Sequence, residues 1–296
     1  MVWVNALVQG ILLGGLYALF ATGLSLVFGV MRLVNLAHGD LGLLAAFLVV
    51  AVADASGLSP WIALVLVVPA MFVIGYVLQY VTLNRTLESG ELAPLLVTFG
   101  LAIVLQNVLL ETFSADSRGI NAGAIETESI RVNDQVAIGW FPLATLVVSV
   151  VLLVGLQLVI GRSRLGRALR ATADDLRAAE LMGIDHRRTY AYAMGIALAT
   201  VAIAGVFFGM RTTFAPSDGP ARLIFAFEAV IIGGLGSLWG TLVGGIVLGV
   251  AQTVGTQIAF SLEVSPGWGG DLAGHLVFLA VLATRPTGLF ARTQAT

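Results

Sequence analysis

Apolar stretches of membrane-crossing length recur from Val2 to Ala283, and few charges interrupt them. A helix needs roughly 20 apolar residues to cross about 30 Å of hydrocarbon. Only helices and closed barrels satisfy their own backbone groups in that medium. Broken at charges and turn formers, the spans run Val2 to Phe28, Leu41 to Ala53, Trp61 to Leu83, Leu92 to Leu110, Phe141 to Ile160, Tyr190 to Gly209, Leu223 to Leu235, Gly240 to Phe260 and Leu272 to Ala283. The count is nine, or eight if one of the short pieces is re-entrant. With 58% of 296 residues apolar and 11% charged, the composition is not that of a soluble domain. The sequence predicts an all-α, polytopic transmembrane bundle with short or broken helices, one domain over residues 1–296, in the cytoplasmic membrane. The first span lacks a basic leading region, so it is not expected to be a cleaved signal peptide.

Orientation follows the arginines. The segment 161–189 holds Arg162, Arg164, Arg167, Arg170, Arg177, Arg187 and Arg188, seven of the fifteen basic residues, which assigns it to the cytoplasm. The loop Glu111 to Gly139 carries five acids against Arg118 and Arg131, which suits the opposite side. Alternation then puts Arg85, Arg285 and Arg292 inside. With nine spans the N-terminus lies outside and the C-terminus inside; eight would change one end.

Two absences narrow the chemistry. There is no cysteine, which excludes a disulfide framework, a thiolate metal site and a cysteine nucleophile. There is no lysine either, so no GxxxxGK[ST] phosphate loop and no Schiff-base lysine exist. No catalytic or metal constellation stands out: His38 and Asp40 lack further ligands, and an intramembrane enzyme has little support.

Glycine, 35 residues, falls inside the spans. Gly10 and Gly14, Gly205 and Gly209, Gly236 and Gly240, and Gly245 and Gly249 are each four apart, one helix face per pair. Such faces let helices approach closely in lipid; the alternative reading is hinges or broken helices beside a substrate path.

Three polar groups, Asn35, His38 and Asp40, sit between the first two spans. Ionisable groups in a membrane are functional candidates by default. Here they read as a turn with Asp40 capping the next helix, as a substrate path or gate, or as a proton relay. Glu228, in the short span Leu223 to Leu235, either lines a hydrated cavity that meets a zwitterion's amino group or pairs with a buried neighbour. The loop 161–189 has helix formers from Arg167 to Met182 and a stop at Gly183. It reads either as a solvated, lipid-facing segment or as a helix offered to a cytoplasmic partner, with Ala178 and Ala179 allowing close contact.

Within that loop, RAAELMG (Arg177 to Gly183) resembles the EAAxxxG loop of ABC importer permeases. Ala178, Ala179 and Gly183 match, while Arg177 replaces the motif's glutamate. The flanking text, SRLGRALRATADD and AELMGIDHRRTYAYAMGIALATVAIAGV, is similar to the branched-chain amino-acid, LivH-like subgroup. So are the opening Gly14 to Phe47, with its Asn35, Ala37, His38, Gly39, Asp40 core, the segment Ala226 to Gln252, and the ending Arg285 to Phe290. The resemblance implies a non-catalytic permease subunit that passes branched-chain or other neutral amino acids. It implies a second, LivM-like permease, two ABC ATPase subunits holding ATP and Mg, and an extracytoplasmic binding protein as partners. The chain itself would bind no cofactor and no nucleic acid. Coupling residues would be Arg167, Arg170, Arg177, Ala178, Ala179 and Gly183. The competing functions are a self-sufficient secondary transporter of a small polar solute and an ABC permease for urea or short amides.

Overall fold

The computed structural model describes residues 2–87, 89–90, 92–133, 136–263 and 266–290; Arg292 lies outside them. The helices are α1 (Val2–Met31), α2 (His38–Ser56), α3 (Pro60–Leu87), α4 (Leu92–Phe113), α5 (Trp140–Arg162), α6 (Arg164–Asp174), α7 (Leu176–Leu181), α8 (His186–Arg211), α9 (Gly219–Gly233), α10 (Leu238–Ser261) and α11 (Pro266–Thr284). A two-stranded antiparallel hairpin, β1 (Ser129–Asn133) and β2 (Val136–Gly139), lies in the acidic loop, with Ser129 opposite Gly139.

Among the described residues, seven helices are long and apolar enough to cross a membrane: α1 to α5, α8 and α10. The remaining two of the nine expected spans are the shorter helices α9 and α11. With 15 residues, α9 is about 22 Å long, short of the hydrocarbon thickness. The second span is longer than expected, because the helix begins at His38 instead of Leu41. A reading that breaks spans at charges stops there, but the bundle encloses the charge.

The layers follow burial. Over their most apolar windows α1 and α8 are each 83% buried, while α4 and α5 are 22% buried. So α1 and α8 form the centre and α3, α4 and α5 the lipid-facing wall. Apolar side chains on that wall, such as Val65, Leu96 and Val151, are exposed, which costs nothing against acyl chains. A proline at N1 starts α3, where its missing N–H is no loss. Its last turns widen into a π segment, Leu78–Leu83. There the buried Gln79 donates to Asn84 at 2.9 Å and Asn84 to the Arg187 carbonyl at 3.1 Å, pinning α3 to the start of α8.

The two ends of the bundle are distinct. At one, Gln9 on α1 donates to the Ala137 carbonyl at 2.8 Å, and Arg118 and Phe214 exchange backbone hydrogen bonds. At the other lie α6 and α7, and the amides of Leu289 and Phe290 donate to Ile232 and Gly233. The start of α1 is therefore on the acidic-loop side, and the Arg285 to Phe290 ending on the arginine-rich side.

Small residues set the central contacts. Gly10 and Gly14 of α1 lie against Gly249 and Gly245 of α10. A Cβ at Gly14 would fall 2.8 Å from the Gly245 oxygen, and one at Gly245 would fall 2.7 Å from the Gly14 oxygen. Gly205 of α8 meets the backbone of Gly42 on α2, where a Cβ would overlap the carbonyl, and Gly209 lies under the Phe214 ring. Gly236 and Gly240, four apart in the sequence, do not share a helix face. Gly236, at φ 78°, is in the turn between α9 and α10, and that left-handed conformation cannot propagate a right-handed helix.

Replacing Gly205 with valine is expected to cost about 1–3 kcal/mol by overpacking. Gly155→Ala on α5, with nothing within 4 Å, should change stability favourably by under about 1 kcal/mol. Unfolding midpoints of the two variants in detergent check this; equal losses would remove the close-packing account.

Candidate functional site

After Met31 the chain does not carry on along the membrane face to its next helix. It turns back alongside α1, so that the first residue of α2, His38, places Nε2 3.0 Å from the Phe20 carbonyl, eleven residues before the end of α1. A carbonyl only accepts, so Nε2 carries the hydrogen. The Asn35 side chain accepts from the Ala37 amide at 3.0 Å and its carbonyl from the His38 amide at 3.1 Å, which closes the turn. Its amide nitrogen faces the Met194 sulfur of α8 at 3.9 Å. Thr98 on α4 accepts from the Leu36 amide at 3.2 Å. Asn35, His38 and Asp40 are all buried.

Asp40 does not cap α2. The N-cap position is Ala37, and no side chain bonds there. Asp40 lies in the first turn, where a carboxylate complements the helix dipole. Its Oδ1 accepts from Gln106 Nε2 at 3.0 Å, and its Oδ2 has no partner among the described residues. Among the described residues no hydrogen bond links His38 to Asp40, so the two do not form a direct relay.

The start of α9 packs onto the same spot. Gly219 lies against the Asp40 side chain and Gly39, close enough that a Cβ on either glycine would clash. From there α2 runs toward the acidic-loop end, where Asp54 is 4.0 Å from Arg118. In the other direction α9 runs to Gly233 at the arginine-rich end. Two helices of opposite direction thus begin inside the bundle with their N-termini in contact. Discontinuous helices of this kind line solute sites in transporters.

A second polar group of side chains follows one face of α9. Arg222, Phe225 and Glu228 are three apart, so they share a stripe. The Glu228 carboxylate accepts from His275 Nδ1 on α11 at 2.5 Å, while its Oε2 is unpaired among the described residues. Phe225 is the hub: its ring centroid is 5.3 Å from that of Tyr17, 5.8 Å from that of His275 and 5.4 Å from the Arg222 guanidinium. Arg222 also lies 4.4 Å over Phe208, a cation on aromatic faces. The Tyr17 hydroxyl donates to Gln252 Oε1. Of this set, only Glu228 was singled out as a site residue in the sequence. The spacing of Arg222, Phe225 and Glu228 is the available signal; Gln252 and His275, as single polar groups near span ends, signal only a bond to a neighbouring helix, which each makes, and Tyr17 carries none.

The arginine-rich loop is two helices, not one from Arg167 to Met182. Asp175 is extended (φ −147°, ψ 107°) and accepts from the Ala178 amide, ending α6 and capping α7. Arg167, Arg177 and Ala178 are exposed, and Arg170 donates to the Ile160 carbonyl at the end of α5. Ala179, expected at a docking face, points inward and is buried. Gly183, at φ 82°, closes α7: its amide donates to Glu180 at 2.9 Å and the Ile184 amide to Ala179 at 3.0 Å. The apolar tip, Leu181 at 89% and Met182 at 83% exposure, stands out from this turn.

The family described as branched-chain amino acid transport system / permease component matches residues 6–282. The chain is 32% identical to the high-affinity branched-chain amino acid transport system permease protein BraD of Pseudomonas aeruginosa, over 99% of this chain and 97% of that one. It is 29% identical to the permease protein LivH of Escherichia coli K12, over 97% and 94%. A probable LivH of Methanocaldococcus jannaschii is 26% identical, over 94% and 90%. Among solved structures, PsaBC from Streptococcus pneumoniae in complex with Fab matches with a TM-score of 0.47 and 20% identity, covering 98% of this chain and 92% of that one.

Removing His275 leaves a buried carboxylate oxygen unpaired. His275→Ala is expected to cost about 1–3 kcal/mol, and Glu228→Gln in the same chain should recover part of the loss. A double-mutant cycle on unfolding midpoints measures the coupling; strict additivity would mean that the pair contributes nothing.

Proposed function

Since the chain belongs to the branched-chain amino acid transport permease family, we propose that it carries branched-chain amino acids through a path beside the abutting starts of α2 and α9. It is a multi-pass membrane permease subunit. In this reading it is non-catalytic: ATP and Mg are held by two separate ABC ATPase subunits, a second, LivM-like permease completes the path, and an extracytoplasmic protein delivers the solute. The lack of lysine, and with it of a phosphate loop, agrees with hydrolysis in other chains.

The observation that carries this reading is the α7 tip. Two large apolar side chains, Leu181 and Met182, are held out in water on a capped turn among arginines, an arrangement that costs free energy unless a partner covers it. In the proposed complex they seat in the ATPase subunit. Three residues beyond Gly183, α8 begins, and it runs past Asn35, through Met194, and past Gly42, through Gly205. A displacement of α7 by ATPase closure is thereby delivered to the N-terminus of α2. Asp40 and Glu228, each with one unpaired oxygen, are the groups that would meet the ammonium of an amino acid, while the surrounding apolar walls suit Leu, Ile and Val side chains.

Purified alone in proteoliposomes, the chain should move no leucine under any ion gradient. With the second permease, both ATPases, the binding protein and ATP present, uptake should appear. Gradient-driven uptake by the lone chain would establish a secondary transporter instead.

Leu181→Ser with Met182→Ser should lower ATP-driven uptake and substrate-stimulated ATP hydrolysis about tenfold or more, the loss typical of truncated interface anchors. The affinity of the binding protein for its solute should stay unchanged. Gly183→Val, which cannot hold φ 82°, should behave likewise. Full uptake by both variants would remove the docking role.

A further inference from the structure

At the arginine-rich end a cavity of about 210 Å³ opens between α1, α5, α6 and the start of α10. That is room for several water molecules or one compact polar group. Its polar lining includes Ser25, Gln157, Arg170 and Ser237, and none of its lining residues is acidic. We propose that it binds the phosphate of an anionic phospholipid from the cytoplasmic leaflet.

Three independent features converge on an anion. The first is the N-terminus of α10, a helix of 24 residues. Ser237 accepts the Gly240 amide through its side chain at 3.1 Å and the Thr241 amide through its carbonyl at 2.9 Å. The amides of Leu238 and Trp239 therefore have no acceptor in the helix and face outward from a positive dipole end. The second is Arg170, which spends one N–H on the Ile160 carbonyl and keeps other donors of its planar fork. The third is Ser25, a lining residue 1% exposed, whose Oγ has no partner among the described residues.

The surroundings select a lipid over a free ion. Trp239 lines the cavity and is 48% exposed, the position of an interfacial tryptophan. Exposed Val151, Val154 and Leu158 of α5 lead along the bundle toward Gln157 and Ile160 at the cavity rim, a track that suits an acyl chain. Cationic pockets on the cytoplasmic side of membrane helices hold anionic headgroups.

The test uses the assembled transporter in phosphatidylcholine vesicles containing increasing fractions of brominated phosphatidylglycerol or brominated phosphatidylcholine. Bromine quenches nearby tryptophan, and the difference between the natural protein and Trp239→Phe isolates the signal of Trp239. Brominated phosphatidylglycerol is expected to be about fivefold more effective, the ratio one arginine at a charged surface supplies. Arg170→Gln and Ser25→Val should each reduce that preference, and millimolar inorganic phosphate at matched ionic strength should leave it intact. Equal quenching by the two lipids in the natural protein would overturn the proposal whether or not the variants fold. Loss of the preference on adding phosphate would also overturn it, making the occupant a small anion.

Discussion

Where lipid surrounds a helix, packing it against another helix removes no apolar surface from water, so the association must come from contact itself. In this chain that contact is made backbone to backbone. The Gly10 and Gly14 ridge of α1 against Gly245 and Gly249 of α10, and Gly205 of α8 against Gly42 of α2, bring main chains nearer than any side chain would allow. The remaining architecture depends on these contacts. They hold α1 and α8 at the centre, and with those two fixed, α2 and the short α9 have a wall to start from inside the bundle.

A helix start within a membrane leaves amides without acceptors. Here the two buried N-termini lie against each other, with the Asp40 carboxyl in the first turn of one and packing against Gly219 at the start of the other. The turn before α2 is satisfied locally, by Asn35 and by Thr98 from α4. Among the described residues, the buried atoms without a partner include Asp40 Oδ2 and His38 Nδ1 at this junction, and Arg222 Nε and Glu228 Oε2 along α9.

Much of the scaffold was legible from hydropathy alone. Apolar runs located nine helices because lipid demands length and apolarity and little else. The errors have particular causes. The start of α2 was missed by three residues because polar His38 and Asp40 read as loop, when burial among four helices had made them interior. The break at Asp175 was missed because its flanks are good helix formers, and the capping geometry that decides it depends on where α6 must end against α5. Ala179 was assigned outward from a motif, while the roll of a six-residue helix is set by the elements beneath it. The polar set around Phe225 draws on α1, α8, α9, α10 and α11, so the spacing on α9 carries only part of it.

The sequence by itself determined a multi-pass helical protein, its arginine-rich face, the glycines available for close packing and the loop motif that ties it to its family. Each of these rests on the composition or period of one segment, which local physics reads directly. Only the tertiary structure decided that α2 and α9 begin inside the bundle, that Glu228 pairs with His275 while Asp40 pairs with Gln106, and that Leu181 and Met182 form the protruding tip. Those outcomes depend on which helices come within hydrogen-bonding distance in lipid, where the alternative to a partner is an unsatisfied polar group.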